Sequence, residues 1–308
     1  MRPPIGGRTT ILVLMIAPVL AAVALLTGWQ SGPPLPQART EVAGAAFRGG
    51  VAVVGGFTSD GATVARADLF VPGRGWSRLP DLPLAANHAA AATSRGRLYV
   101  LGGFGPENVR RSAFVLEGRR WRSLPPMPDR RGASGAAVID GTLYVAGGVG
   151  PGGLRRTLLA LNLRTLRWRT LAGPTPRQHL AVAALGGRLY AVGGRTAGYD
   201  TNVATVEVFD PRRARWSPLP SLPEPRGGTG LAAVAGSLVS VGGEAPSGTI
   251  ASVYRFRPGS SGWTRLPDLP SPRHGLAVAA IGRKVYAIGG GPQPGLFVSA
   301  TNEFLRLA

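Results

Sequence analysis

The chain contains no cysteine among its 308 residues. That excludes structural disulfides, thiolate metal sites and a cysteine nucleophile. Lysine is nearly missing too, Lys284 being the only one, and there are only 15 acidic residues and three histidines. No pair of carboxylates at fixed spacing, no Ser–His–Asp order and no phosphate loop can be found. The glycine run at 148–153 lacks the strand-to-helix setting that a phosphate cradle requires. No residue is therefore given a catalytic role, and no cofactor or metal is assigned.

What is abundant is arginine, glycine and proline. Gly at 46 and Pro at 28 argue against long helices and suit an all-β fold with many turns. An apolar fraction of 44% is enough for a packed core, so the turn residues do not signal disorder. The formal net charge of +20 favours anionic partners, unless it reflects a general replacement of Lys by Arg. No aromatic-and-Arg signature or groove-reading helix accompanies the charge, so nucleic acid is disfavoured.

Residues 1–24 read as a targeting segment. Arg2 and Arg8 precede an apolar run at 11–26, and Ala22-Val23-Ala24 supplies a small-x-small cleavage site. The alternative is an uncleaved hydrophobic helix at 9–27 anchored in the cytoplasmic membrane, since the run approaches the roughly 20 residues a spanning helix needs. Either reading puts residues 25–308 outside the cytoplasm. Mass spectrometry of the mature N-terminus separates them: Leu25 as first residue supports cleavage, and intact Met1 supports the anchor.

From there on the chain repeats. Glycine pairs begin at Gly55, Gly102, Gly147, Gly193, Gly242 and Gly289, in steps of 47, 45, 46, 49 and 47 residues. Trp76, Trp121, Trp168, Trp216 and Trp263 keep the same beat, most followed by a tail such as Leu79-Pro80-Asp81-Leu82-Pro83. Tyr99, Tyr144, Tyr190 and Tyr286 each stand three residues before a pair, with Ala52 and Val239 at the two exceptions, where looser packing is expected. An even period of this size marks a repeat architecture. The pattern resembles the kelch repeat, and the resemblance implies a six-bladed kelch β-propeller of four-stranded blades, in a protein similar to exported bacterial kelch proteins. One enzyme of that family is set aside at once, because a copper oxidase resembling galactose oxidase needs a Tyr–Cys cross-link.

Trp29 stands 47 residues before Trp76, ahead of the first full repeat, while the last repeat stops at Ala308 before any Trp. One end has a spare outer strand and the other lacks one. The reading is a ring closed by the Trp29 strand, which removes exposed sheet edges. Each Trp is expected between blades, and each glycine pair where neighbouring backbones approach closely.

Long variable loops follow each glycine pair, so that side of the ring is the expected working face. Seventeen residues before the second glycine of each pair lie Arg39, Ala86, Arg131, Arg177, Arg226 and Arg273. His88, His179, His274 and Glu41 fall within two positions of this register. These five arginines with the three histidines and Glu41 are the candidate ring at the mouth of the axial channel. In similar kelch propellers arginines at about this place bind acidic peptides, and guanidinium forks suit carboxylate, sulfate or phosphate. The alternative is that each Arg bonds neighbouring carbonyls and fixes its turn. Glu41, His88 and His179 are metal-ligand types, but they come from different blades at a separation the sequence does not give.

The function expected is a non-catalytic, monomeric binding module whose partner is a protein or an anionic carbohydrate. The alternative is a carbohydrate-active enzyme resembling the kelch sialic-acid mutarotase, using the arginine series with Glu41, Glu107 or Glu244.

Overall fold

The computed structural model describes Met1 and residues 28–307. The expected targeting segment at 1–24 and the hydrophobic helix at 9–27 lie outside the described residues. Among the described residues there is one single-turn 3-10 helix, Tyr199–Thr201, and no helix long and apolar enough to cross a membrane.

Six antiparallel four-stranded sheets form the ring. Blade one is Ala43–Phe47, Gly50–Val54, Ala67–Val71 and Gly75–Arg78, in spatial order from axis to rim. Blade four follows the same plan with Ala181–Leu185, Arg188–Val192, Val206–Asp210 and Arg215–Leu219. Its inner strand begins at Ala181, two residues after His179, which sits in the left-handed region at φ 54°.

The seam closes as the tryptophan spacing predicts. Trp29–Ser31 is the outer strand of the sixth blade, with Trp29 opposite Leu305 and Ser31 opposite Glu303. All six indoles then repeat one contact: Trp76 Nε1–H donates to the Pro33 carbonyl at 3.0 Å, Trp121 to Pro80 at 2.8 Å, and Trp29 to Pro267 at 2.9 Å across the seam. The tryptophans are half-buried rather than fully buried, each with its N–H hooked to a carbonyl of the preceding blade.

The glycine pairs are inter-blade couplings. The first glycine faces the carbonyl at the arginine register of the next blade, so a Cβ on Gly102 would lie 2.2 Å from the Arg131 oxygen. The second glycine donates its N–H to that same carbonyl, as Gly103 does at 3.0 Å and Gly290 to Arg39 at 2.8 Å. Both members have positive φ, which a side chain would strain. Ala52 and Val239, which replace the repeat tyrosine, are fully buried at 0%.

Two unlike faces result. Short turns between first and second and between third and fourth strands make one, here the turn face. The long second-to-third loops and the inter-blade links make the other, the loop face. The first strand described, Trp29–Ser31, starts at the turn face and runs toward the loop face, antiparallel to Asn302–Arg306.

Candidate functional site

Where each inner strand begins, one residue per blade turns into the axial channel with positive φ: Glu41 51°, His88 50°, Ala133 51°, His179 54°, Gly228 65° and Gly275 58°. Their backbones form a girdle: His88 N–H donates to Glu41 O at 2.9 Å, Ala133 to His88 at 3.0 Å, His179 to Ala133 at 2.9 Å, and on through Gly228 and Gly275. Val42 N–H closes the circle on Gly275 O at 3.1 Å. Glycine is the residue this conformation favours, and an L side chain there costs about 1–2 kcal/mol. Three of the six positions nevertheless carry a carboxylate or an imidazole.

Those side chains meet. Glu41 Oε2 lies 3.1 Å from His88 Nε2, and Glu41 Oε1 lies 3.0 Å from His274 Nδ1. Gly275 makes room for this carboxylate, since a Cβ there would sit 2.6 Å from Glu41 Oε1. The His88 and His179 rings are 4.9 Å apart, edge to face. His88 Nδ1 is held by Asn87 Oδ1 at 2.6 Å, whereas both ring nitrogens of His179 are buried without a partner. On the other side His274 also approaches Glu244 Oε2 at 3.5 Å, and Glu244 Oε1 accepts from Arg195 at 2.7 Å.

Protonation follows from these neighbours. His274 directs one nitrogen at Glu41 and the other at the Gln293 carbonyl at 3.0 Å, so both donate. Burial opposes its charge, but the hydrogen bond and charge of Glu41 prevail and its pKa is raised. Glu41 is lowered: burial opposes ionisation, and the surrounding histidines outweigh it. Burial lowers His88 and takes His179 well below its ordinary value, so both are neutral imidazoles near pH 7. The axial cavity they line is about 100 Å³, room for water or an ion and not for a sugar ring.

The structure divides the nine candidate residues. Glu41, His88, His179 and His274 come together. The five arginines do not form a ring at the channel mouth, because each is drawn into its own blade, 0–1% exposed. Arg39 donates to the Gly55 carbonyl at 2.8 Å and pairs with Asp68 at 2.5 Å; Arg273 donates to Gly289 at 2.8 Å and pairs with Glu303 at 2.7 Å. Arg131, Arg177 and Arg226 repeat the arrangement with Asp129, Glu207 and Glu224. Burial lowers the Arg39 pKa to about 10 against the pull of Asp68, and lowers Arg177, Arg226 and Arg273 likewise. Each guanidinium thus fixes the carbonyl of its own blade's glycine pair. None of the five contacts Glu41, Glu107 or Glu244, and Glu107 is exposed on a loop of the second blade.

Arg195 and Asn87 were not singled out by sequence. A signal for the first exists: the residue after each glycine pair is Phe57, Phe104, Val149, Arg195, Glu244 and Gly291, so opposite charges stand at one register in adjacent blades.

Around the channel mouth the loop face offers apolar groups. Leu84, Tyr199, Leu296 and Phe297 are exposed there, against Leu166 alone on the turn face among the described residues. Beside His88 a groove of about 670 Å³ is lined by Phe57, Phe104 and Pro106 with Thr63 and Asn87. The turn face is polar and basic. Arg48, Arg95, Arg188, Arg212, Arg213 and Arg283 are among its exposed cations, while only three of the 15 acidic residues, Glu117, Asp140 and Asp210, lie there.

Comparison with known proteins agrees with this architecture. Residues 87–290 match the family model described as the KLHDC2/KLHL20/DRC7 Kelch-repeats domain. An F-box/kelch-repeat protein of Arabidopsis thaliana is 36% identical over 61 residues, 20% of this chain and 16% of that protein. Kelch-like protein 9 of Mus musculus is 39% identical over 94 residues, covering 29% and 15%. Kelch-like ECH-associated protein 1B of Danio rerio is 36% identical over 89 residues, covering 28% and 15%. The match thus spans about a sixth of the length of these relatives. The chain belongs to the kelch-repeat family, whose propellers are typically protein-binding modules.

Proposed function

We propose that the protein is an exported, non-catalytic kelch propeller that binds a protein partner on its loop face. The observation that carries this is the distribution of exposed apolar side chains, with Leu84, Tyr199, Leu296 and Phe297 on one side of a rigid ring. Tyr199 and the loop bearing Leu296 and Phe297 are neighbours, since a Cβ on Gly295 would lie 3.9 Å from the Tyr199 hydroxyl. Grouped exposed apolar residues of this kind mark interaction sites. The aromatic groove at Phe57 and Phe104 would take an anchoring side chain of the partner.

The turn face supports an orientation at a membrane. The apolar run at 11–26 precedes a strand that starts on that face, and the face carries an excess of arginines. A tether there would bring the arginines to anionic lipid headgroups, where each contributes about 1 kcal/mol near the surface. A concavity of about 430 Å³ on the face is lined by Arg95, Arg97 and Arg164 with Tyr99 and Asp140. The loop face then points away from the bilayer, open to a partner.

The test is site-specific photo-cross-linking in the native host, with the probe at Phe297 or at Arg95. One protein trapped from Phe297 and lipid trapped from Arg95 is the expected result. No protein adduct from Phe297, with retention of acidic glycans on an array instead, would replace the protein partner by a carbohydrate. Acceleration of sugar-acid mutarotation by the purified chain would replace the binding module by an enzyme.

A further inference from the structure

We infer that Glu41, His88 and His179 together bind one divalent first-row transition-metal ion of the zinc type in the throat of the channel. The three side chains offer ligand atoms all within 4.8 Å of one another. Two imidazoles and one carboxylate are a zinc donor set, and imidazole disfavours the hard cations calcium and magnesium. The fourth position faces the axial cavity, which has room for a water ligand.

Four features of the site converge on this assignment. Both nitrogens of His179 are buried with no hydrogen-bond partner, which is rare for a polar group and expensive unless something fills the place. His88 presents Nε2 to the site while Nδ1 is fixed by Asn87, and Asn87 in turn donates to Thr63 Oγ1 at 2.8 Å. That is the outer-shell support that orients metal-ligating histidines. Glu41 keeps Oε1 on His274 and turns Oε2 toward the site. Finally, the three ligands occupy girdle positions at φ 50–54°, where two other blades use glycine, so the side chains are retained against local strain.

The ion would tie blades one, two and four together at the axis, adding to the backbone hydrogen bonds of the girdle and the Glu41–His274 hydrogen bond. It does not depend on the loop-face reading, since the site lies inside the channel.

The experiment uses the full, untagged chain, stripped with chelator and desalted. Zinc is added, excess is removed, and the retained metal is measured by plasma mass spectrometry. One zinc per chain, a rise in melting temperature with zinc, and visible absorption bands of tetrahedral Co2+ after cobalt substitution are expected. His179→Ala removes an imidazole that bonds nothing else, so the metal-free variant should melt like metal-free wild type while losing the zinc-induced rise. Its zinc affinity should fall by about 100-fold or more, and Asn87→Ala, which removes an outer-shell support, by about 10–100-fold. Substoichiometric zinc on the wild type overturns the assignment, whatever the variants do. So does stoichiometric zinc retained by both His179→Ala and Glu41→Gln, which would place the metal elsewhere.

Discussion

Two sets of arginines in this ring are used in opposite ways. On the loop side, Arg39, Arg131, Arg177, Arg226 and Arg273 are fully buried, and each is bound to a carboxylate and to carbonyls of its own blade. On the turn side, residues such as Arg95, Arg212 and Arg213 are exposed, and only Glu117, Asp140 and Asp210 stand near to balance them. The buried set works because a guanidinium offers five donors in a fixed fork, enough to satisfy a carboxylate and two or three carbonyls at once. The exposed set has no such geometry to serve, so its contribution is to the field outside the molecule.

The sharpest way to break the contrast is to remove one buried arginine. Arg273→Met leaves Glu303, 4% exposed, without its partner, and should lower stability by about 3–5 kcal/mol. Urea unfolding at unchanged m-value would read this directly. The double variant Arg273→Met/Glu303→Leu should regain most of the loss, because no uncompensated charge remains. A single-variant loss below about 1 kcal/mol would mean the pair is dispensable and the contrast is only one of exposure.

The next effect concerns the seam rather than a face. Trp29→Ala should destabilise by about 3 kcal/mol, the lower end for Trp, because the indole is half-exposed. It also loses the Nε1–H bond that hooks the first strand to the Pro267 carbonyl of the fifth blade. Trp168→Ala, in mid-ring, loses the equivalent bond to Pro125 and should cost a similar amount. Only the Trp29 variant should free the N-terminal strand, seen as proteolysis before Arg39 with the rest of the ring intact. Equal resistance in both variants would show that closure rests on the backbone pairing of Trp29 with Leu305.

The ring was legible in the sequence because each of its couplings reuses the same residue types at one spacing. Glycine pairs, rim tryptophans and the Trp29 offset are all periodic, and each maps to one inter-blade contact. The fate of the arginines was only half legible. Their register shows five equivalent positions but not the acids they meet, since Asp129 and Glu224 lie two residues before their partners while Asp68, Glu207 and Glu303 lie on third strands. The cluster of Glu41, His88 and His179 was legible as residue types at one register. Its convergence was not, because distances across the axis depend on the blade number and the left-handed turn at each position.

On the loop face, a charge set among the exposed apolar groups should leave the fold alone and spoil recognition. Phe297→Asp changes a side chain that is 48% exposed, so stability should shift by no more than about 0.5 kcal/mol. Binding of the cross-linked partner should weaken by at least about 30-fold if Phe297 is a central anchor, as a loss of about 2 kcal/mol implies. Leu166→Asp, on the opposite face and 41% exposed, is the matched control and should leave binding unchanged. Equal effects from both would show that neither face is the specific one.

On the turn face the effect on stability should again be small, and that smallness is the point. Replacing Arg95, Arg97 and Arg164 by Ser removes the cations around the concavity of about 430 Å³ there. Of these only Arg97 has an acidic partner, Glu117 at 2.8 Å, and both are substantially exposed, so the triple variant should lose no more than about 1 kcal/mol. Its adhesion to vesicles containing anionic lipid should nonetheless fall by about 100-fold, three cations at about 1 kcal/mol each, when both proteins start at residue 28 so that no apolar leader contributes. Raising the salt to about 1 M, where the Debye length shrinks to about 3 Å, should bring wild type down to the variant. Vesicles of neutral lipid should distinguish neither. If the wild type adheres to anionic and neutral vesicles alike, or if salt leaves its adhesion unchanged, the arginines of that face do not read a charged surface, and the asymmetry of the ring loses its physical meaning.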